Sequence, residues 1–181
     1  MKNLEKGVLS PLWSFSQKGN IWKLLFAGND ILTGETRDID DKRVYFFSID
    51  IKTGKSLLKN YVFENEKYWI ASENAGGRFL FLHRFQSPNL PMHKGIIAID
   101  VQTGEKIWEN SELEYIFHTD DGVYAIKQLF ESTEIFLLNI NTGVIIKNFS
   151  QDENKDVYSL REITSQDYFD KSFKYPEVIQ N

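Results

Sequence analysis

Ala98-Ile-Asp-Val-Gln-Thr-Gly-Glu105 has two counterparts in this chain, Ser48-Ile-Asp-Ile-Lys-Thr-Gly-Lys55 and Leu137-Leu-Asn-Ile-Asn-Thr-Gly-Val144. In each, an apolar run meets Asp or Asn, two residues intervene, Thr-Gly follows, and a second apolar run begins. Thr53 and Thr103 are 50 residues apart, and Thr103 and Thr142 are 39 apart. That is the period of propeller blades and solenoid units, in which each repeat is one supersecondary element stacked on the next.

The motif has a local physical reading. Asp50, Asp100 and Asn139 each carry a side-chain oxygen able to accept from amides two or three residues on, closing an Asx-type turn. Gly54, Gly104 and Gly143 stand where a short hairpin needs positive φ, which glycine adopts without a Cβ clash. Thr53, Thr103 and Thr142 complete the three corners. Val44–Phe47, Gly95–Ile99 and Ile135–Leu138 lead in as strands, and Leu57, Ile107 and Ile146 follow four residues past each threonine. Asp30-Ile-Leu-Thr-Gly-Glu35 has the same spacing but is a decoy, because the Arg37–Asp41 turn cluster comes too soon after it.

Working outward, turn residues punctuate a regular series of short strands. The first group is Ile21–Ala27, Ile31–Arg37, Val44–Ile51 and Ser56–Phe63. The second is Tyr68–Ala71, Phe79–Phe85, Ile96–Val101 and Lys106–Glu109; the third is Tyr115–His118, Val123–Phe130, Ile135–Ile140 and Val144–Phe149. Four antiparallel strands in about 40–45 residues is a propeller blade. The expected fold is all-β: an incomplete or open propeller-like array of about three four-stranded antiparallel blades plus terminal strands. Its divisions are an N-terminal strand segment over 1–19 pairing with the last blade, blades over 20–65, 66–111 and 112–151, and a partial blade and tail over 152–181. Leu9–Phe15 and Val157–Ile163 are the expected terminal strands.

The repeat resembles the quinoprotein-type propeller repeat, in which Ala-Leu-Asp is followed by x-x-Thr-Gly-Lys and a Trp on the next strand. Ala98–Trp108 matches it nearly throughout; Ser48–Leu58 matches until Leu58 takes the Trp position, and Leu137–Lys147 has Asn139 and Lys147 in place of Asp and Trp. Pro11-Leu-Trp-Ser-Phe15 reads like the last strand of a preceding blade. With His83–Gly95 before its second repeat, the chain also resembles an uncharacterised bacterial domain family of unknown function built on these repeats. Enzymes of the quinoprotein group hold pyrroloquinoline quinone and calcium in a seven- or eight-bladed ring. Here there are about three blades, no cysteine pair and no recognisable calcium triad, so the likeness implies a scaffold and no cofactor is expected.

Composition narrows the function further. The 181 residues carry a net charge of -5, with Lys and Arg spread along the chain, so the basic stripe of a nucleic-acid binder is missing. No cysteine is present, which excludes disulfides, thiolate metal sites and a cysteine nucleophile. No run approaches the ~20 apolar residues of a membrane helix, and the N-terminus lacks a signal-peptide core, so a cytoplasmic location is expected. Aromatic residues make up 14% of the chain, a richness that suits packed β faces.

The main polar constellation lies between Phe81 and Lys94. His83 and His93 supply imidazoles, Arg84 and Lys94 add charge, and Pro88 and Pro91 stiffen a connection that sets the histidines facing each other. These four residues are the candidate anion or small-ligand site. An ordered loop whose histidines bond to backbone carbonyls is the competing reading. A metal needs a third ligand at close spacing, and none is evident from the sequence, so no metal site is expected. Glu35 and Arg37 alternate on one strand face and read as a surface ion pair, with a catalytic carboxylate and its partner as the alternative. The functional expectation is a non-enzymatic interaction or scaffold module whose array is capped by its tail or completed by a protein partner or second copy. The alternative is a small-ligand binder or enzyme using the His83–Lys94 loop.

Overall fold

A computed structural model describes residues 10–64, 66–87 and 90–172. It contains twelve strands and one helix. The first sheet runs β1 (Asn20–Ala27), β2 (Ile31–Asp38), β3 (Arg43–Asp50) and β4 (Ser56–Tyr61). The second runs β5 (Ile70–Gly76), β6 (Phe79–Ser87), β7 (Leu90–Asp100) and β8 (Lys106–Asn110). The third runs β9 (Glu114–Thr119), β10 (Gly122–Gln128), β11 (Thr133–Leu138) and β12 (Ile145–Phe149). In every sheet the spatial order is the chain order and each neighbour is antiparallel. This is the open, propeller-like array of three four-stranded sheets.

The three Thr-Gly corners join the third strand of each sheet to the fourth, and they share one geometry. Asp50 Oδ1 accepts from the Thr53 amide at 2.8 Å, Asp100 Oδ1 from Thr103 at 3.1 Å, and Asn139 Oδ1 from Thr142 at 3.2 Å. The amides of Gly54, Gly104 and Gly143 each donate to the carbonyl of that same Asp or Asn at 2.8 Å. Their φ angles are +70°, +76° and +69°, which explains the glycine. The short-range bonds explain why six residues suffice to specify a corner.

Each corner is also a docking point for an aromatic side chain from the preceding unit. Trp13 Nε1 donates to Ile51 O at 2.7 Å, Tyr61 Oη to Gly104 O at 2.6 Å, and Trp108 Nε1 to Ile140 O at 2.7 Å. A Cβ on Gly54, Gly104 or Gly143 would sit 2.4, 2.7 or 2.5 Å from the ring of Trp13, Tyr61 or Trp108. The glycines therefore serve twice, once for φ and once to admit a ring. In the third repeat the equivalent place on the outer strand is taken by Lys147, which instead pairs with Glu153 at 2.7 Å. The interlocking ring disappears at the third unit, the last sheet among the described residues.

Apolar clusters fill the spaces between layers. Leu25, Val44 and Phe46 of the first sheet pack with Ile70, Leu80, Leu82, Ile97 and Ile99 of the second. On the other face of the second sheet, Phe79, Phe81, Ile96 and Trp108 pack with Val123, Ala125 and Phe136 of the third. Burying each of these large side chains contributes about 1.5–3 kcal/mol. Beyond the third sheet, Phe117, Tyr124 and Ile135 meet Val157 and Leu160.

Val157 and Leu160 belong to α1 (Asn154–Ser172), where a terminal strand over Val157–Ile163 was expected. The correction has a local cause. Glu153 Oε2 accepts from both the amide and the hydroxyl of Ser150 at 2.8 and 2.9 Å, and the Asn154 amide donates to Ser150 O at 3.2 Å. This is a Ser-x-x-Glu helix start of the capping-box kind, and the Val157–Leu160 spacing puts both residues on one helix face.

A second correction concerns the N-terminal segment. Its described part, residues 10–19, forms no strand and bonds to the first sheet rather than the last. Gln17 Nε2 donates to Thr36 Oγ1 at 3.0 Å, the Lys18 amide donates to Asn60 Oδ1 at 2.9 Å, and Phe15 packs on Phe47 with centroids 5.4 Å apart. The array thus has a cover at both ends. Among the described residues no helix is long and apolar enough to cross a membrane.

Candidate functional site

Two departures from regular β pairing build the site. On β5, Ser72 pairs with Leu82 and Asn74 with Phe81, so Glu73 is an extra, bulged residue. On β7, Ile97 pairs with Leu82 and Lys94 with Arg84, so an extra residue is accommodated at Gly95, whose φ is +74°. A one-residue slip moves every later side chain to the opposite face. Without it, His93 would lie on the Leu82–Arg84 face. With it, His93 pairs with Phe85 and joins His83 and Phe85 on one face. The β2–β3 and β10–β11 pairs of the other sheets run in unbroken register, so the β7 slip is peculiar to the second sheet, whereas the first-strand bulge recurs at Trp22 of β1 and Ile116 of β9.

The result is a compact cluster. Glu73 Oε1 lies 2.7 Å from His83 Nδ1 and 2.5 Å from His93 Nδ1. The two imidazole rings stack with centroids 3.6 Å apart and 11° between their planes. Phe85 meets both rings edge-on, at 5.0 and 6.2 Å. The His83 side chain is 3% exposed and that of Glu73 11%, whereas His93 is 42% exposed and forms the open side. Despite the short distances, Glu73 Oε1 and both His83 ring nitrogens lack an aligned hydrogen bond. Burial disfavours the Glu73 carboxylate, but contact with the imidazoles, His83 foremost, outweighs it and holds the carboxyl below its ordinary range.

The cluster opens into a cleft of about 250 Å³ between β5 and the first sheet. Its wall from the first sheet is Trp22, Lys23, Glu35 and Arg37. Lys23 Nζ donates to the carbonyls of Ser72 and Glu73, both at 2.8 Å, and so fixes the bulged backbone. Glu35 and Arg37 are a buried pair rather than a surface one, which corrects the sequence reading. Arg37 Nε donates to Glu35 Oε1 at 3.0 Å, and Glu35 Oε2 accepts from the Ser72 amide and hydroxyl at 2.6 and 2.9 Å. Arg37 also donates to Ile70 O at 3.1 Å. Both carboxylate oxygens and the guanidinium are thus committed to holding β5, the strand that carries Glu73.

Of the four candidate residues, the structure brings His83 and His93 together and sets Arg84 and Lys94 apart. Arg84 and Lys94 pair across the opposite face. Arg84 is engaged by Glu109 and, at 3.8 Å, by Glu64, while Lys94 is exposed. Pro88, assigned a stiffening role, lies outside the described residues. Asp50, Thr53, Gly54, Asp100, Thr103, Gly104, Asn139, Thr142 and Gly143 form corners, remote from the cluster along each sheet. Glu73 escaped the sequence reading because it precedes His83 by ten residues and reaches it only through the bulge.

A wider cavity of about 630 Å³ lies among the inner strands and α1, lined in part by Phe26, Ile51, Phe117, His118 and Thr164. There the Tyr115 hydroxyl and His118 Nδ1 share a hydrogen bond of 2.7 Å. Burial pushes the His118 pKa down and the Tyr115 hydroxyl above its ordinary range, so both stay neutral near pH 7.

A family described as "Domain of unknown function (DUF4905)" matches residues 27–108. The matched span takes in Glu35, Arg37, Glu73, His83, His93 and Gly95, and stops before the third sheet. No curated protein matches the chain.

Proposed function

We propose that the chain is a binding module: a capped array of three sheets, related to quinoprotein-type repeats in its corners, that presents a small-ligand cleft between its first two sheets. The observation that carries this reading is the convergence of Glu73, His83 and His93 at 2.5–2.7 Å with buried atoms left without aligned partners. Native folds satisfy buried polar atoms, and an exception marks a place where something else is meant to bind. The covers at both ends favour this reading over an array that must be completed by another chain.

The scaffold reading retains one supporting observation. Val144, Ile145 and Ile146 are exposed on and beside the outer edge strand β12, and exposed edges invite pairing with another chain. Native mass spectrometry of the protein from its source separates the two. A small adduct on the wild type that is lost from a folded His83→Ala/His93→Ala double variant supports the cleft. An adduct-free chain that co-purifies with a protein partner, unchanged by those substitutions, favours the scaffold.

A further inference from the structure

We infer that Glu73, His83 and His93 form a three-ligand site for a divalent transition-metal ion of the imidazole-binding class, with zinc the best match. The inference rests on the cleft being the binding site and names what it binds. One ligand atom from each residue lies within 4.8 Å of the others. Two imidazole nitrogens and one carboxylate oxygen are a donor set that zinc uses at open sites, the remaining position going to water or a second ligand. Oxygen-seeking calcium and magnesium are poorly served by two nitrogen donors.

The alternative occupant is a proton shared between one histidine and Glu73. A proton bridges only two of the three groups, and it needs a near-linear N–H···O line. Neither His83 nitrogen nor Glu73 Oε1 finds one, although the atoms are in contact. A cation seated among the three atoms meets all of them at once. Bonds of about 2.0–2.2 Å in tetrahedral geometry require ligand atoms about 3.3 Å apart. The 2.5–2.7 Å spacings must therefore widen by well under 1 Å, and the nearly parallel rings must tilt open. His93 is the group placed to do this, since it is half-exposed on β7, whereas His83 is held within the sheet.

The surroundings are suited to holding ligands in place. Phe85 walls both imidazoles, and Lys23 grips the carbonyl of Glu73 itself. Arg37 is already neutralised by Glu35, so Glu73 is the carboxylate left to offset the ion's charge.

The test uses the full chain, freed of metal with a chelator and then dialysed. Zinc affinity is measured by competition with a chromophoric chelator, and cobalt(II) is added as a spectroscopic stand-in. The expected result is uptake of one zinc per chain and visible cobalt bands of the intensity given by four- or five-coordinate nitrogen and oxygen ligation. His83→Ala, His93→Ala and Glu73→Gln should each weaken zinc at least about a hundredfold, with circular dichroism confirming the fold. If His83→Ala fails to fold, the half-exposed His93→Ala and the wild-type cobalt spectrum still decide the matter. Absence of zinc and cobalt uptake by the folded wild type overturns the metal site, as does uptake that the three substitutions leave unchanged. If uptake is absent but a non-metal adduct is still lost in the double histidine variant, the cleft survives and only the metal falls. If both are absent, both fall.

Discussion

The two ends of the second sheet obey different rules. At the Thr103–Gly104 end, β7 turns into β8 through the same bonds, at nearly the same distances, as the corners of the other two sheets. At the other end, β7 slips at Gly95 where the corresponding central pairs of the first and third sheets show no slip, while the first-strand bulge that holds Glu73 recurs at Trp22 and Ile116 and carries a carboxylate only here. Repetition reports what stacking requires, since every unit must meet the next in the same way. Departure from it, at a cost in pairing, reports what one unit does that the others do not. Stability therefore belongs to the corner end and binding to the irregular end, and the two can be broken separately.

The largest effect is expected at the corner end. Trp108 bonds Ile140 O and packs on Gly143, so Trp108→Ala should lower unfolding free energy by about 3–5 kcal/mol in urea titration. Zinc affinity of the protein that remains folded should be unchanged. Gly104→Ala comes next: its φ of +76° and the Tyr61 ring 2.7 Å from the new Cβ should together cost about 1–3 kcal/mol. A corner substitution that leaves stability intact while abolishing metal uptake would reverse the assignment of the two ends.

The same division explains what could be read from the amino-acid order. A corner needs only an Asp or Asn oxygen, a threonine and a glycine within six residues, so it is visible in a short window. The twelve strands follow from the turn residues that separate them. Trp13 was legible as a relative of Trp108, and it docks as that likeness implies. Tyr61 was not, because the Trp position by spacing is Leu58. One extra residue on β4 between the Ser48–Leu58 and Phe46–Tyr61 pairs, with Asn60 at φ +52°, carries the ring to Gly104 instead. Glu73, the third ligand-type group, was hidden because it is the bulged residue of β5, and the slip that keeps His93 on the His83 face was hidden because strict alternation places His93 on the other side. The available signal was Gly95, a lone glycine inside a strand pattern, which marks a bulge. The helix was hidden by sparse apolar residues after Phe149, although Ser150-x-x-Glu153 announces a helix start.

Gly95 offers the sharpest cut between the two ends. A Cβ there meets Asn110 O at 3.1 Å and must adopt φ +74°, so Gly95→Ala should cost only about 1–2 kcal/mol. If the chain relieves the strain by restoring regular pairing, His93 leaves the His83 face. Zinc affinity should then fall about tenfold or more, as when ligand orientation is lost elsewhere. The signature is a binding loss out of proportion to the stability loss, which Gly104→Ala should not show. Equal losses in both variants would mean that the bulge serves the fold alone.

The smallest effect belongs to the cover over the third sheet, where pH acts on one carboxylate. The Lys147 ammonium and the Ser150 amide and hydroxyl hold the Glu153 carboxyl at about 2, down from an ordinary value near 4.5. A depressed folded-state pKa stabilises the folded form above the unfolded value, and that contribution fades as pH falls from about 4.5 towards about 2. The group is at the surface, so salt screens it and the contribution is modest. Acid should therefore weaken the start of α1, and with it the hold of the helix on Tyr124 and Ile135, as the pH falls through that window. A fall in helical signal through that window, absent in Glu153→Gln, would confirm that the start of α1 is held by this carboxylate. An identical acid profile in the variant would place the hold elsewhere, in the apolar contacts of Val157 and Leu160.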